Sequence, residues 1–186
     1  MICAVSLGCG SARADGTFAQ FDLGDDTGSA VLSVERDLLT FGATYNAYDG
    51  GQSFGVSAMY RLAATSQGAA TNLKLGPSFG VVDEDGEDAE TQAGLRMVAD
   101  RYVPMEFGGL YFQAEVNSID RAWFLLGQVT LAEPQLAFEL SRGGSESYSE
   151  TTLAVSRRLG DGPVSLRAGY RFEDESVFAG ISINTF

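Results

Sequence analysis

From residue 16 to the C-terminus, apolar and small or polar residues alternate with a period of two. Leu39, Phe41, Ala43, Tyr45 and Ala47 fall on one side of a stretch, and Thr40, Gly42, Thr44 and Asn46 on the other. Phe54, Val56, Ala58, Tyr60 and Leu62 oppose Ser53, Gly55, Ser57 and Arg61 in the same way, as do Val164, Leu166, Ala168, Tyr170 and Phe172 opposite Ser165, Arg167, Gly169 and Arg171. Such a period predicts strands with one apolar and one polar face. Turn residues divide the chain into 12 predicted strands, at 16–24, 28–37, 39–48, 52–62, 71–82, 91–103, 109–118, 121–132, 135–142, 148–158, 163–173 and 177–186. Two places resist the pattern. Phe124-Leu125-Leu126 is apolar on both faces and leaves its register open, and 63–70 is small and bland enough for turn or strand edge.

The polar face consists of Gly, Ser, Thr, Asn and scattered charges, unlike a solvated surface rich in Lys and Glu. Aromatic residues gather near strand ends, at Phe18, Tyr45, Tyr60, Tyr102, Phe107, Tyr148, Tyr170 and Phe186. Girdles at two bilayer interfaces produce that placement, whereas a soluble sandwich would use aromatics as cross-strand pairs in its core. The turns alternate in chemistry as well. Asp25-Asp26, Asp49, the run Asp83-Glu84-Asp85-Gly86-Glu87-Asp88 and Glu173-Asp174-Glu175 all fall in the odd-numbered turns. The predicted fold is an all-β, antiparallel, up-and-down transmembrane barrel of 12 strands, with 10 or 8 as alternatives. Its odd turns would lie outside the cell, and its even turns and both termini in the periplasm.

Composition adds constraints. The mean hydropathy is zero, and no window supplies the run of about 20 apolar residues that a spanning helix needs. Residues 1–14 differ in kind from the rest: Ile2 to Cys9 is a short apolar run, and Ala12-Arg13-Ala14 fits a small-x-small cleavage site. They read as a signal peptide whose basic start is missing, followed by a single domain over 15–186. A lipoprotein reading at Cys9 is weaker, because Ser6 stands where a large aliphatic residue is expected. Both cysteines, Cys3 and Cys9, fall in this leader, so a chain starting at Asp15 would carry no disulfide. Removing Arg13 from the 12 basic residues leaves 11 against 25 acidic ones, 11 − 25 = −14. Nucleic acid is excluded as a partner on that balance.

These features together resemble bacterial outer-membrane β-barrels of the small porin or channel type, over nearly the whole of 16–186. The resemblance implies outer-membrane lipid and lipopolysaccharide as surroundings, and the barrel-assembly machinery as a partner through the C-terminal strand, with Phe186 as the assembly signal. In that class the terminal aromatic lies in phase with apolar residues. Here Ile183, Ile181, Ala179 and Val177 are one residue out of phase with Phe186. Either a β-bulge lies between Ile183 and Phe186, or Phe186 points inward.

The chain contains no histidine. That removes Ser-His-Asp arrangements and argues against a zinc enzyme, and several barrel enzymes of the same general architecture depend on a catalytic histidine. No enzyme activity and no cofactor are predicted. Asp83, Asp85 and Glu87 offer oxygen ligands to a hard cation, although a solvated, self-repelling turn is the plainer reading. By parity Arg61, Lys74, Arg96, Arg158, Arg167 and Arg171 point inward, with Glu115, Glu139 and Glu150. Inward charges must be paired or hydrated. The expected function is a passive channel for small polar or anionic solutes through a slightly basic lumen. The alternatives are a non-conducting barrel acting through acidic loops, and a secreted soluble β-barrel that binds a ligand.

Overall fold

The structure, a computed structural model, describes residues 15–65, 70–84, 88–146 and 148–186. Twelve strands follow one another as β1 (Gly16–Gly24), β2 (Gly28–Arg36), β3 (Leu39–Tyr48), β4 (Gly51–Thr65), β5 (Ala70–Glu84) and β6 (Glu90–Met105), then β7 (Gly108–Asn117), β8 (Trp123–Leu131), β9 (Leu136–Gly144), β10 (Ser149–Arg158), β11 (Val164–Arg171) and β12 (Ser176–Asn184). A 3-10 turn, Ile119–Arg121, interrupts the link between β7 and β8. Each strand pairs antiparallel with its sequence neighbours, and β12 returns to β1 to close a barrel. Closure satisfies backbone groups that an open sheet leaves unpaired at its edges.

Pairing register fixes which residues share a face. Along one row Gln20 meets Val31, Val31 meets Thr44 and Thr44 meets Gly55; the neighbouring row on the opposite face joins Phe21, Ala30, Tyr45 and Phe54. The apolar residues are on the outside. Leu95 is 60% exposed, Leu62 56% and Phe79 55%, while Ser78 is 2%, Asp22 3% and Glu35 4% exposed. A soluble barrel or sandwich would show the reverse order, since an exposed apolar wall of this extent invites aggregation in water. The distribution is that of a wall facing lipid around a polar interior, and the soluble alternative has no support in it.

The ambiguous strand is resolved by its neighbours. Glu115 pairs with Phe124 and Gln113 with Leu126, so Phe124 and Leu126 face inward and Leu125 faces out, 52% exposed. Met59 and Val98 are also inward and buried. The only register shift in β4–β5 lies between Arg61 and Ala63, a bulge that bends β4 near its end.

The aromatic girdle needs correction. Tyr45, Tyr60 and Tyr170 face out, but Phe18 and Tyr102 share the phase of inward residues: Phe18 pairs with Ser33 and Asn184, Tyr102 with Tyr111. Phe186 does the same. The β1–β12 register runs without a shift up to Phe18 opposite Asn184, Thr185 N donates to Thr17 O at 3.0 Å, and a Cβ on Gly16 would strike the Phe186 ring. Gly16 is in phase with Gln20 and Asp22, so no bulge intervenes and Phe186 lies on the lumen side of the rim, 58% exposed.

The charged lumen as candidate functional site

The turns after odd strands gather at one end of the barrel, here the distal mouth. Those after even strands gather at the other, the terminal mouth, together with Asp15 and Phe186. Between them the inward face carries two ion-pair networks on different arcs of the wall.

The first is centred on a carboxylate. Glu35 on β2 pairs with Arg61 of β4 and with Lys74 Nζ of β5 at 2.7 Å. Lys74 also reaches Asp100 of β6 at 3.2 Å. Thr40 Oγ1 donates to Glu35 at 3.3 Å and Asn72 Nδ2 to Asp100 at 2.7 Å. The second is centred on a cation. Arg167 on β11 donates through Nε to Asp22 of β1 at 3.1 Å and through both terminal nitrogens to Glu139 of β9 at 3.3 Å. Gln20 and Gln128 donate to Asp22 and Glu139 in turn. A smaller pair, Arg96 with Glu115 at 2.7 Å, joins β6 to β7, and Arg96 also donates to Ser57 at 3.0 Å.

Alternation places these groups: each is an inward position on a strand whose next residue faces out. Their burial makes pairing obligatory, because an isolated charge removed from water is penalised by several kcal/mol. Every one of these pairs joins strands at most three apart round the wall. Among the described residues the networks therefore run along the wall and do not join opposite sides of the barrel. Twelve strands about 4.8 Å apart and tilted by about 40° enclose a backbone cylinder of roughly 12 Å radius. Side chains fill an eight-stranded barrel; this one is wider.

Aromatic side chains on the inner face lie flat over glycines of the adjacent strand. Phe178, opposite Gly169, occupies the space a Cβ there would need, and Phe124 (opposite Gly143) and Tyr102 (near Gly109) do likewise. Phe178 also carries two guanidinium groups, Arg167 at 5.7 Å and Arg171 at 5.1 Å from its ring centre, a favourable cation–π geometry. Arg171 donates to Thr27 as well.

Every strand residue expected to line the lumen shares its inward phase: Arg61, Lys74, Arg96, Glu115, Glu139, Arg158, Arg167 and Arg171, with Glu150. Arg158 stands exposed at the terminal mouth and joins no ion-pair network among the described residues. Missing from that set, besides Glu84 and Glu90 at the distal ends of β5 and β6, were three inward carboxylates within the wall: Asp22, Glu35 and Asp100. They share the phase of Gln20, Ser33 and Val98, a signal the sequence did contain. Counting them removes the expected basic excess, since Asp22, Glu35, Asp100, Glu115, Glu139 and Glu150 now match the six cations. Of the proposed cation ligands, Asp83 accepts a hydrogen bond from Gln52 at 3.0 Å; Asp85 and Glu87 lie outside the described residues.

Solved structures share this architecture. A KdgM porin superposes with a TM-score of 0.54 at 9% identity, covering 90% of this chain and 98% of that one. A KdgM porin in complex with disordered oligogalacturonate gives a TM-score of 0.54 at 10% identity, with the same coverage. The shared feature is the fold. No protein-family model and no curated protein matches the chain. This chain has a porin-type, 12-stranded barrel, built from a sequence that shares little else with those porins.

Proposed function

We propose that the protein is a passive outer-membrane channel for small polar solutes. The observation that carries this reading is the inverted distribution of polarity: an apolar, exposed outer wall and a charged inner wall whose ion pairs run along it. A non-conducting barrel would gain most from pairs that cross the interior. In this reading, the acidic distal turns lie at the cell surface beside lipopolysaccharide, the terminal mouth opens to the periplasm, residues 1–14 direct export, and β12 engages the assembly machinery. The wall performs no chemistry on the solute. Its inward donors and acceptors replace part of the solute's hydration during passage.

Purified protein inserted into planar bilayers should give stepwise current increments. Current no greater than that of a lipid blank, from protein with the heat-modifiable mobility of a folded barrel, would overturn the channel reading and favour a structural role.

A further inference from the structure

We infer that this channel passes cations and neutral polar solutes in preference to anions; the inference rests on the channel reading above. The lumen supplies the first half of the argument. Arg61, Lys74, Arg96 and Arg167 are held by Glu35, Asp100, Glu115, Asp22 and Glu139 at contact distance. Oppositely charged groups in contact present a dipole to a passing ion, and its field falls faster with distance than that of a lone charge. Arg171 is engaged by Thr27 and the Phe178 ring. An anion crossing the middle of the barrel meets no free row of cations. An acidic oligosaccharide, such as the oligogalacturonate named for the KdgM complex, lacks the receiving charges here.

The two mouths supply the second half. At the distal mouth Asp25, Asp26, Asp49, Asp88, Asp120, Glu173, Asp174 and Glu175 have no ion-pair partner among the described residues. Glu84 and Glu90 join them at the inward ends of β5 and β6. The one cation in those turns, Arg121, is already paired with Glu146 at 2.7 Å. At the terminal mouth the five acids Asp15, Asp37, Glu106, Glu133 and Asp161 share the rim with four arginines, Arg36, Arg101, Arg157 and Arg158, so its net charge is much smaller. Low-dielectric walls focus the field of unpaired charges into the opening. The ion preference is therefore set where ions enter, with a nearly neutral lumen behind.

Reversal potentials in a potassium chloride gradient test this. Near 0.1 M salt, potassium should be favoured over chloride roughly sevenfold, from a mouth potential of about one kT acting with opposite sign on the two ions. Near 1 M, where the screening length falls to about 3 Å, the ratio should drop below about twofold. The triple variant Asp25→Asn, Asp26→Asn, Glu175→Gln changes exposed turn residues only and should lower the ratio at 0.1 M. Chloride preference, no preference, or a ratio unchanged by salt and by the variant would each overturn the inference while leaving the channel intact. Absence of all current would overturn the channel reading, and this inference with it.

Discussion

The two inner networks are opposites in construction. On the β2–β6 arc one carboxylate, Glu35, holds two cations; on the β8–β1 arc one cation, Arg167, holds two carboxylates. Both tie together strands that are not neighbours in the sheet. They differ in what remains when the hub is lost. Without Glu35, Arg61 is stranded but Lys74 keeps Asp100. Without Arg167, Asp22 and Glu139 both lose their cation, and the Phe178 ring loses one of its two stacked guanidinium groups. The hub side chains are 4% exposed at Arg167 and 6% at Glu35. Uncompensated charge is the costly outcome at such sites, so the Arg167 network should be the more fragile of the two.

Arg167→Gln should therefore produce the largest loss, about 3 kcal/mol by denaturant unfolding in micelles, and Glu35→Gln about 2 kcal/mol. Equal losses would remove the distinction between the networks. Adding Glu139→Gln to Arg167→Gln should recover roughly 1 kcal/mol, because the second change removes a stranded charge. The hubs should also move ion preference in opposite directions, Arg167→Gln toward cations and Glu35→Gln toward anions. Gly169→Val sharpens the role of Phe178. The valine takes the place of the ring, which must swing into the lumen, and also presses on the Leu153 carbonyl, so the β10–β11 ladder must shift as well; the cost is about 2–3 kcal/mol, with a fall in unit conductance. Gly162→Val, in a turn without such a ring, should leave conductance unchanged.

Outside the lumen the effects should be small. Arg121→Ala breaks a pair whose side chains are 85% and 58% exposed, and the expected change is below about 0.5 kcal/mol. At the same mouth Glu173 accepts from the Thr151 amide at 2.6 Å and its hydroxyl at 3.0 Å. The Thr151 amide, aided by the Glu150 side chain, lowers the Glu173 carboxyl from 4.5 to about 2. A depressed carboxyl contributes fully above its unfolded value and loses that contribution as pH falls through its folded one. The Thr151 amide proton resonance should thus titrate with a midpoint of about 2; a midpoint near 4.5 would show that the contact is not made.

Much of this architecture was legible from alternation alone. Period two was unbroken through β3, β11 and the first half of β4 up to Ala58, where outward Leu, Phe, Val and Tyr leave no doubt about phase. Strand ends were less legible. Strands β4, β5 and β6 extend past the predicted 52–62, 71–82 and 91–103, through residues such as Ala63-Ala64-Thr65, Glu84 and Pro104-Met105 that carry no alternation. β8 could not be phased from its own residues and needed Glu115 and Gln113 across the ladder. The networks were half-legible: parity turned the arginines inward, but Asp22, Glu35 and Asp100 stand near strand ends, where a carboxylate ordinarily belongs to a solvated rim. Their partners lie far away in sequence, 145 residues from Asp22 to Arg167 and 39 from Glu35 to Lys74. The first of these contacts exists only because β12 closes onto β1; the second needs the sheet to curl across β2–β5.

The central claim, a lipid-facing apolar wall around a water-filled charged lumen, is tested most directly by single-cysteine accessibility along β4. With Cys3 and Cys9 replaced by Ser, cysteines are placed one at a time at 53–58 and exposed to a membrane-impermeant thiol reagent in liposomes. Positions 53 and 55 should react, position 57, buried under Arg96, more slowly, and positions 54, 56 and 58 should not. Uniform protection would contradict the open lumen, and reaction confined to 54, 56 and 58 would contradict the orientation of the wall itself.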